Sequence, residues 1–122
     1  MLIYTYNLVS TRLFNLSWLY VIFWLEVTYD RYVAYAGTYT HESSKGIHIY
    51  DMDVEKGRIT ERCEVTIDNP SYITLSSNKK YLYAICDQGI SSFAITEDGS
   101  LELMNVASIN GMRGCHISVT KD

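Results

Sequence analysis

The sequence predicts an all-β protein, and three observations support this fold class. Eleven tyrosines, a single proline and many isoleucine, valine and threonine residues favour strands, because branched and aromatic side chains pack well on a pleated surface. Short apolar runs end at glycines or polar turns, as buried strands do. After residue 30 the apolar residues lack the 3.6-residue periodicity of amphipathic helices.

The first thirty residues differ in composition from the rest. They contain one basic residue, Arg12, and an apolar stretch at 18–25. That stretch is shorter than the roughly 20 residues that a membrane-spanning helix needs, and residues 26–30 contain no small-residue cleavage site of a secretory signal. We therefore predict that residues 1–30 are an apolar N-terminal extension outside the fold, with a signal or a membrane anchor as the alternative, and that residues 31–122 form the domain.

Two segments of this domain contain the same succession of strands. In each, an apolar run is followed by a glycine that opens a second strand, and then by a polar turn and a third strand. The matched segments are 32–36 with 81–85, 46–50 with 89–93, and 58–61 with 100–103.

The repeat has a length of 42 to 44 residues. Gly46 and Gly89 are 43 residues apart, and segment 70–76 matches segment 114–120 at an offset of 44. Four short strands in such a period are typical of a β-propeller blade, whereas an immunoglobulin-like sandwich, the competing fold, has no reason to repeat. We predict a partial β-propeller of about two blades of four-stranded antiparallel sheet, with one complete blade from residue 70 to about residue 110.

A propeller closes a ring of roughly 4 to 8 blades. By the repeat, residues 121–122 fall just before a strand that the sequence does not contain. We therefore expect a truncated domain, with aggregation or self-pairing through its open blade edges.

Charge and cysteine content exclude several functions. The net charge of −4 comes from scattered single charges, so no basic cluster is available for nucleic acid. Cys63, Cys86 and Cys115 match neither a disulfide framework nor a zinc site, which predicts reduced thiols in a cytoplasmic protein. Residues 51–57 resemble a calcium loop, but the glycine is one position late and Arg62 replaces the bidentate glutamate, so we interpret them as a hairpin turn and predict no metal site.

His116 is the strongest candidate for chemistry among the three histidines. His41 lies in a polar loop and His48 alternates with isoleucines on a strand, so both are expected to be structural. His116 is predicted to open the innermost strand of a blade, which lines the central channel, and histidine can act as a general base near neutral pH. Arg113 precedes it by three residues, and a solvated surface arginine is the simpler interpretation of that residue.

Several segments, taken in order, resemble the seven-bladed β-propeller lactonase family, whose best-known members are bacterial 6-phosphogluconolactonases. They are residues 37–40, 46–51, 69–72, 81–84 and 115–119. One departure is Gly114, which stands where the family commonly has proline before the Cys-His pair.

The resemblance implies a carboxylic-ester hydrolase of the pentose phosphate pathway that converts 6-phosphogluconolactone to 6-phosphogluconate without a cofactor. It makes His116 the candidate base, Arg113 a partner of the phosphate or oxyanion, and Tyr72 a hydroxyl donor beside them. The partner is then a small sugar-phosphate lactone, with no membrane or nucleic acid, and this chain alone is expected to be inactive. The alternatives are a non-catalytic propeller interaction module and a lactonase acting on another ring, such as a cyclised muconate.

Overall fold

The computed structural model describes residues 2–14, 25–40, 43–111 and 114–121. These residues form eight strands and no helix, and none of them belongs to a helix that could cross a membrane. The strands are β1 (Leu2–Phe14), β2 (Leu25–Gly37), β3 (Gly46–Asp53), β4 (Arg58–Thr66), β5 (Tyr72–Leu75), β6 (Tyr81–Cys86), β7 (Gly89–Ile95) and β8 (Leu101–Ala107).

The strands form two antiparallel four-stranded sheets, each a meander. Their orders are β1-β2-β3-β4 and β5-β6-β7-β8. The all-β prediction is confirmed, and the second sheet lies inside the range 70–110 predicted for a complete blade. Residues 114–121, predicted to begin a further innermost strand, belong to neither sheet. A strand requires a hydrogen-bonded neighbour, and neither sheet extends to this segment.

A β-bulge recurs at the predicted period. It lies between Ile49 and Tyr50 where β3 pairs with β4, and between Ser92 and Phe93 where β7 pairs with β8. Because a bulge locally bends a strand and increases its twist, its recurrence gives the two sheets the same local distortion. The repeat therefore extends from residue types to backbone geometry.

The connection between the second and third strands differs in length between the two sheets. Eight residues, 38–45, connect β2 to β3, whereas only Asp87 and Gln88 connect β6 to β7. The longer loop is anchored by a hydrogen bond of 2.8 Å from the Thr38 amide to the Gly46 carbonyl.

The N-terminal strand β1 lies at the edge of the first sheet. It pairs with β2 from Leu2 opposite Gly37 to Phe14 opposite Leu25. Residues 2–14 are therefore paired within a sheet. β1 lies beside β2 as β5 lies beside β6. It forms backbone hydrogen bonds with an edge of β2 that would otherwise be open. The domain boundary at residue 31 stays a prediction.

Side chains from both sheets form one hydrophobic cluster. Val33, Tyr35, Ile47 and Ile49 of the first sheet are fully buried. The second sheet contributes Ile73, Leu82, Ala84, Cys86 and Phe93. Alternate residues of β3 supply this cluster, as expected for a strand with one buried face.

Polar contacts also join the sheets. The buried Tyr35 hydroxyl donates a hydrogen bond of 2.8 Å to the carbonyl of Gly99, 64 residues away. Arg62 binds the Asp51 carboxylate with two nitrogens and donates from Nη1 to the Asp98 carbonyl at 2.6 Å. Hydrogen bonds from Thr96 and then Ser100, with a smaller contribution from Arg62, lower the pKa of the Asp98 carboxyl to about 2.

Candidate functional site at the inner strands

Tyr72 and His116 lie side by side at the start of two consecutive repeats. Their ring centroids are 4.6 Å apart and the ring planes are inclined by 57°. Tyr72 opens β5 and is half-buried, whereas His116 is exposed. The repeat offset of 44 predicted equivalent positions for these residues, and the fold brings them into contact. The third predicted site residue, Arg113, lies outside the described residues.

The backbone before His116 is fixed against the second sheet. The Ser71 hydroxyl donates a hydrogen bond of 3.2 Å to the Gly114 carbonyl. A Cβ atom at position 114 would lie 3.2 Å from Cγ2 of Ile85 and 3.3 Å from its Cδ1. Glycine at this position therefore allows the segment to pack closely on β6, where the proline common in the family would require Ile85 to shift.

A cavity of about 280 Å³ adjoins this pair. Ser71 and Cys115, the residues immediately before Tyr72 and His116, both line it. The complete lining is Tyr39, Asn69, Ser71, Cys86, Asp87, Gly114 and Cys115. We call the cavity together with Tyr72 and His116 the inner-strand site. Amide, hydroxyl and carboxylate groups converge there, as in a binding pocket for a polar small molecule.

Asn69 organises the wall of the cavity. Its side-chain oxygen accepts hydrogen bonds of 2.9 Å from both the amide and the hydroxyl of Thr40, and its amide nitrogen donates to the Asp87 carboxylate at 2.6 Å. Its φ of 43° is in the left-handed region, which asparagine tolerates better than most residues. Asn69 thus ties the 38–45 loop and the β6–β7 turn to the segment that enters β5.

Cys86, one of the two cysteines in the cavity wall, is a poor nucleophile. Burial raises the pKa of the Cys86 thiol, only partly offset by hydrogen bonding with Ser91, and the nearby carboxylates of Asp68 and Asp87 raise it further. The thiolate is the reactive form of cysteine, so these surroundings suppress it.

Sequence reasoning missed Asn69 and Asp87 as site residues. Asn69 was noted only as part of the family resemblance, and Asp87 resembled an ordinary residue of a two-residue hairpin turn. The left-handed backbone of Asn69 is a signal that a sequence alone does not display.

The remaining predictions about motifs have clear outcomes. Residues 51–57 form the hairpin between β3 and β4, where the Lys56 amide donates to the Asp53 carboxylate at 3.0 Å, so the predicted turn is confirmed. His48 lies on the face of β3 opposite Ile47 and Ile49, as predicted. His41 lies outside the described residues.

Comparison with known proteins decides the family. The sequence model of the family described as "Lactonase, 7-bladed beta-propeller" matches residues 33–122. The chain belongs to this family. The matched residues include strands β3 to β8 and the last part of β2.

Named relatives agree with this assignment. The chain is 33% identical over 95 residues to the 6-phosphogluconolactonase of Bacillus subtilis, an alignment that covers 73% of this chain and 27% of that protein. It is also similar to a crystal structure from Bacteroides fragilis, described as a candidate 6-phosphogluconolactonase, with a TM-score of 0.66, 30% identity, and coverage of 73% and 27% of the two chains. An uncharacterised protein of Staphylococcus epidermidis is 36% identical over 96 residues.

These relatives are much longer than this chain, which spans only 27 to 28% of their length. The match begins at residue 33, inside β2.

Proposed function

We propose that this chain supplies two blades and part of the active site of a lactonase that hydrolyses 6-phosphogluconolactone to 6-phosphogluconate. The observation that carries the proposal is the contact between Tyr72 and His116 beside the cavity, at the start of two consecutive repeats. The name of the Bacillus subtilis relative supports the substrate.

Hydrolysis of a lactone needs a base that activates water and a donor that stabilises the developing oxyanion. His116 is exposed, so its imidazole is accessible to both water and substrate. The neighbouring Tyr72 carries a hydroxyl that can donate to the oxyanion or orient the water. Arg113 is the proposed partner of the substrate phosphate, because a guanidinium binds phosphate oxygens in a bidentate manner.

The cavity wall offers further groups to a sugar lactone. Asp87 Oδ2 accepts from Asn69, and the carboxylate lines the cavity. Carboxylate and hydroxyl groups form hydrogen bonds to the ring hydroxyls of a sugar. We propose that Asp87 and Ser71 orient the substrate ring while His116 delivers the water.

We propose that this chain alone is inactive. A seven-bladed ring surrounds its site with groups from several blades, and the described residues contribute two sheets. We further propose that residues 31–122 are the lactonase portion, that residues 1–30 are an N-terminal extension to it, and that the enzyme acts in the cytoplasm.

A chimera tests the proposed activity. Residues 33–122 would replace the homologous segment of the Bacillus subtilis 6-phosphogluconolactonase, and formation of 6-phosphogluconate would be followed in a coupled assay corrected for spontaneous hydrolysis. We expect the chimera to hydrolyse the lactone, whereas the same protein without the segment should not.

Two results would contradict this proposal. A folded, monomeric chimera that leaves the reaction at the spontaneous rate would show that these blades do not complete a lactonase site. Hydrolysis of a cyclised muconate lactone without hydrolysis of the sugar-phosphate lactone would reassign the substrate.

A further inference from the structure

A histidine and two glutamates meet on the outer strands of the first sheet. Ile47 and Ile49 bury their side chains in the core, so His48 between them faces the other side of β3. On β4, Glu64 lies opposite His48 and Glu61 lies opposite Tyr50. This placement is separate from the inner-strand site, which is built around β5 and residues 114–121.

The β-bulge explains why both glutamates share one face. Residues 61 and 64 are three positions apart, and in a regular strand they would point to opposite faces. The bulge between Ile49 and Tyr50 inserts Arg62 as an extra residue of β4. The insertion turns Glu61 and Glu64 to the same side, toward His48.

The three side chains converge through specific atoms. Nδ1 of His48 lies 2.6 Å from Oε1 of Glu61 and 3.4 Å from Oε1 of Glu64. One nitrogen or oxygen atom from each residue lies within 4.8 Å of the other two. Among the residues that the structure describes, this is the grouping with the spacing of a metal site.

The loop next to β3 holds the other ring nitrogen of His48. Nε2 lies 2.9 Å from the hydroxyl oxygen of Ser44. Ser44 is itself held in place, because its hydroxyl contacts that of Thr38 and accepts a hydrogen bond of 3.2 Å from the Gly46 amide. These contacts fix the orientation of the imidazole ring, with Nδ1 on the side of the two glutamates.

Nδ1 of His48 and one carboxylate oxygen from each glutamate therefore point toward a common position. Imidazole nitrogen and carboxylate oxygen are both ligands of divalent transition metals. We propose that His48, Glu61 and Glu64 bind a divalent first-row transition metal ion.

The surroundings of His48 resemble those of a metal-binding histidine. In such residues the second ring nitrogen usually bonds to an oxygen that fixes the ring orientation, and Nε2 of His48 has the Ser44 hydroxyl as its partner.

The solvent exposure of the glutamates and the weakness of the neighbouring lysine ion pair also permit metal coordination. The side chain of Glu61 is 48% exposed and that of Glu64 is 26% exposed, so water can complete the coordination shell. Lys45 lies 3.5 Å from Oε2 of Glu64, but its side chain is 66% exposed and it leaves Oε1 directed at His48. Such exposed ion pairs are weak.

The ligand set indicates the class of metal. One imidazole and two carboxylates suit Mn²⁺, Fe²⁺, Co²⁺ or Zn²⁺, whereas Mg²⁺ and Ca²⁺ prefer oxygen ligands alone. A bound ion would cross-link β3 and β4 and stabilise the outer half of the first sheet.

Manganese is the most suitable probe, because Mn²⁺ has little affinity for the three cysteine thiols. The full chain would be titrated with Mn²⁺ while the electron paramagnetic resonance signal of the free aqua ion is measured. We expect one ion bound per chain, and at least about tenfold weaker binding in each of His48→Gln, Glu61→Gln and Glu64→Gln. His116→Gln is the matched control and should bind as the unmodified chain does.

Circular dichroism would establish that each variant is folded. Nuclear magnetic resonance of the imidazole nitrogen-15 atoms in the unmodified chain provides a second measurement that needs no variant. Mn²⁺ should broaden the Nδ1 resonance of His48 before those of the other histidines. Equal binding by His48→Gln, or a His48 resonance that shows a protonated Nδ1 and does not respond to Mn²⁺, would overturn the proposal.

Discussion

The hydrogen bond between Tyr35 and Gly99 provides a sharp test of how the two blades are held together. Tyr35 is fully buried on β2, and its hydroxyl donates to a carbonyl in the turn between β7 and β8. Replacing Tyr35 with phenylalanine removes one oxygen atom, keeps the ring in the core, and leaves the Gly99 carbonyl without this donor. A buried acceptor left unsatisfied costs about 1–3 kcal/mol, so we expect a loss of that size in the free energy of unfolding.

Urea denaturation followed by tyrosine fluorescence would measure this loss. With an m value of about 1–3 kcal/mol/M, the midpoint should fall by about 1 M, and m itself should not change. Tyr81→Phe is the matched control, because it removes the same atom from a half-buried tyrosine of β6 and should cost less than about 0.5 kcal/mol. Equal midpoints for Tyr35→Phe and Tyr81→Phe would refute the conclusion that this bond joins the sheets.

Three further predictions concern backbone, charge and association. Gly89→Ala should unfold the chain or lower its free energy of unfolding by well over 1 kcal/mol, since φ is 141° and a Cβ would lie 2.2 Å from the carbonyl oxygen of Ala107. Gly57→Ala, with φ of 59° and nothing within 4 Å of the added Cβ, should lower it by only about 1 kcal/mol. Thermal melts would compare the two variants. The pKa of Asp98 is lowered from 3.8 to about 2, so its stabilising contribution is present above pH 3.8 and lost as the pH falls through 2. Asp98→Asn should therefore flatten the acid limb of the curve of stability against pH, and an unchanged acid limb would contradict this. Leu103 is 61% exposed on the edge strand β8, so Leu103→Lys should reduce self-association in sedimentation velocity, and unaltered association would exclude this edge as the contact.

The repeat made most of the fold predictable. Matched glycines and apolar runs predicted the part of β2 from residue 32, β3, β4 and the second sheet, because buried strands consist of short apolar runs that end at turns. The pairing of β1 with β2 was not predictable, since it depends on an open strand edge that exists only once the first sheet has formed. The recurrent bulges likewise have no marker in the residue types.

The sequence predicted only those residues of the candidate site that the repeat relates to each other. The offset of 44 indicated that Tyr72 and His116 are equivalent, and equivalent positions of neighbouring repeats lie close together. The Asn69 network could not be foreseen, because its partners Thr40 and Asp87 are 29 and 18 residues away and their side chains meet only through tertiary packing. The convergence on His48 was missed for a similar reason, since it requires the bulge in β4.

The turnover number of His116→Ala in the chimera tests the central claim, that these blades carry the base of a lactonase, most directly. Loss of a general base should lower kcat by about 10²- to 10⁴-fold. Tyr72→Phe, which removes one hydrogen-bonding group worth about 0.5–1.5 kcal/mol, should lower it by only about 2- to 13-fold. Ser118→Ala, an exposed position two residues beyond His116, is the control and should leave kcat unchanged. If His116→Ala stays folded and turns over within a few-fold of the unmodified chimera, the base is another residue and the account is contradicted.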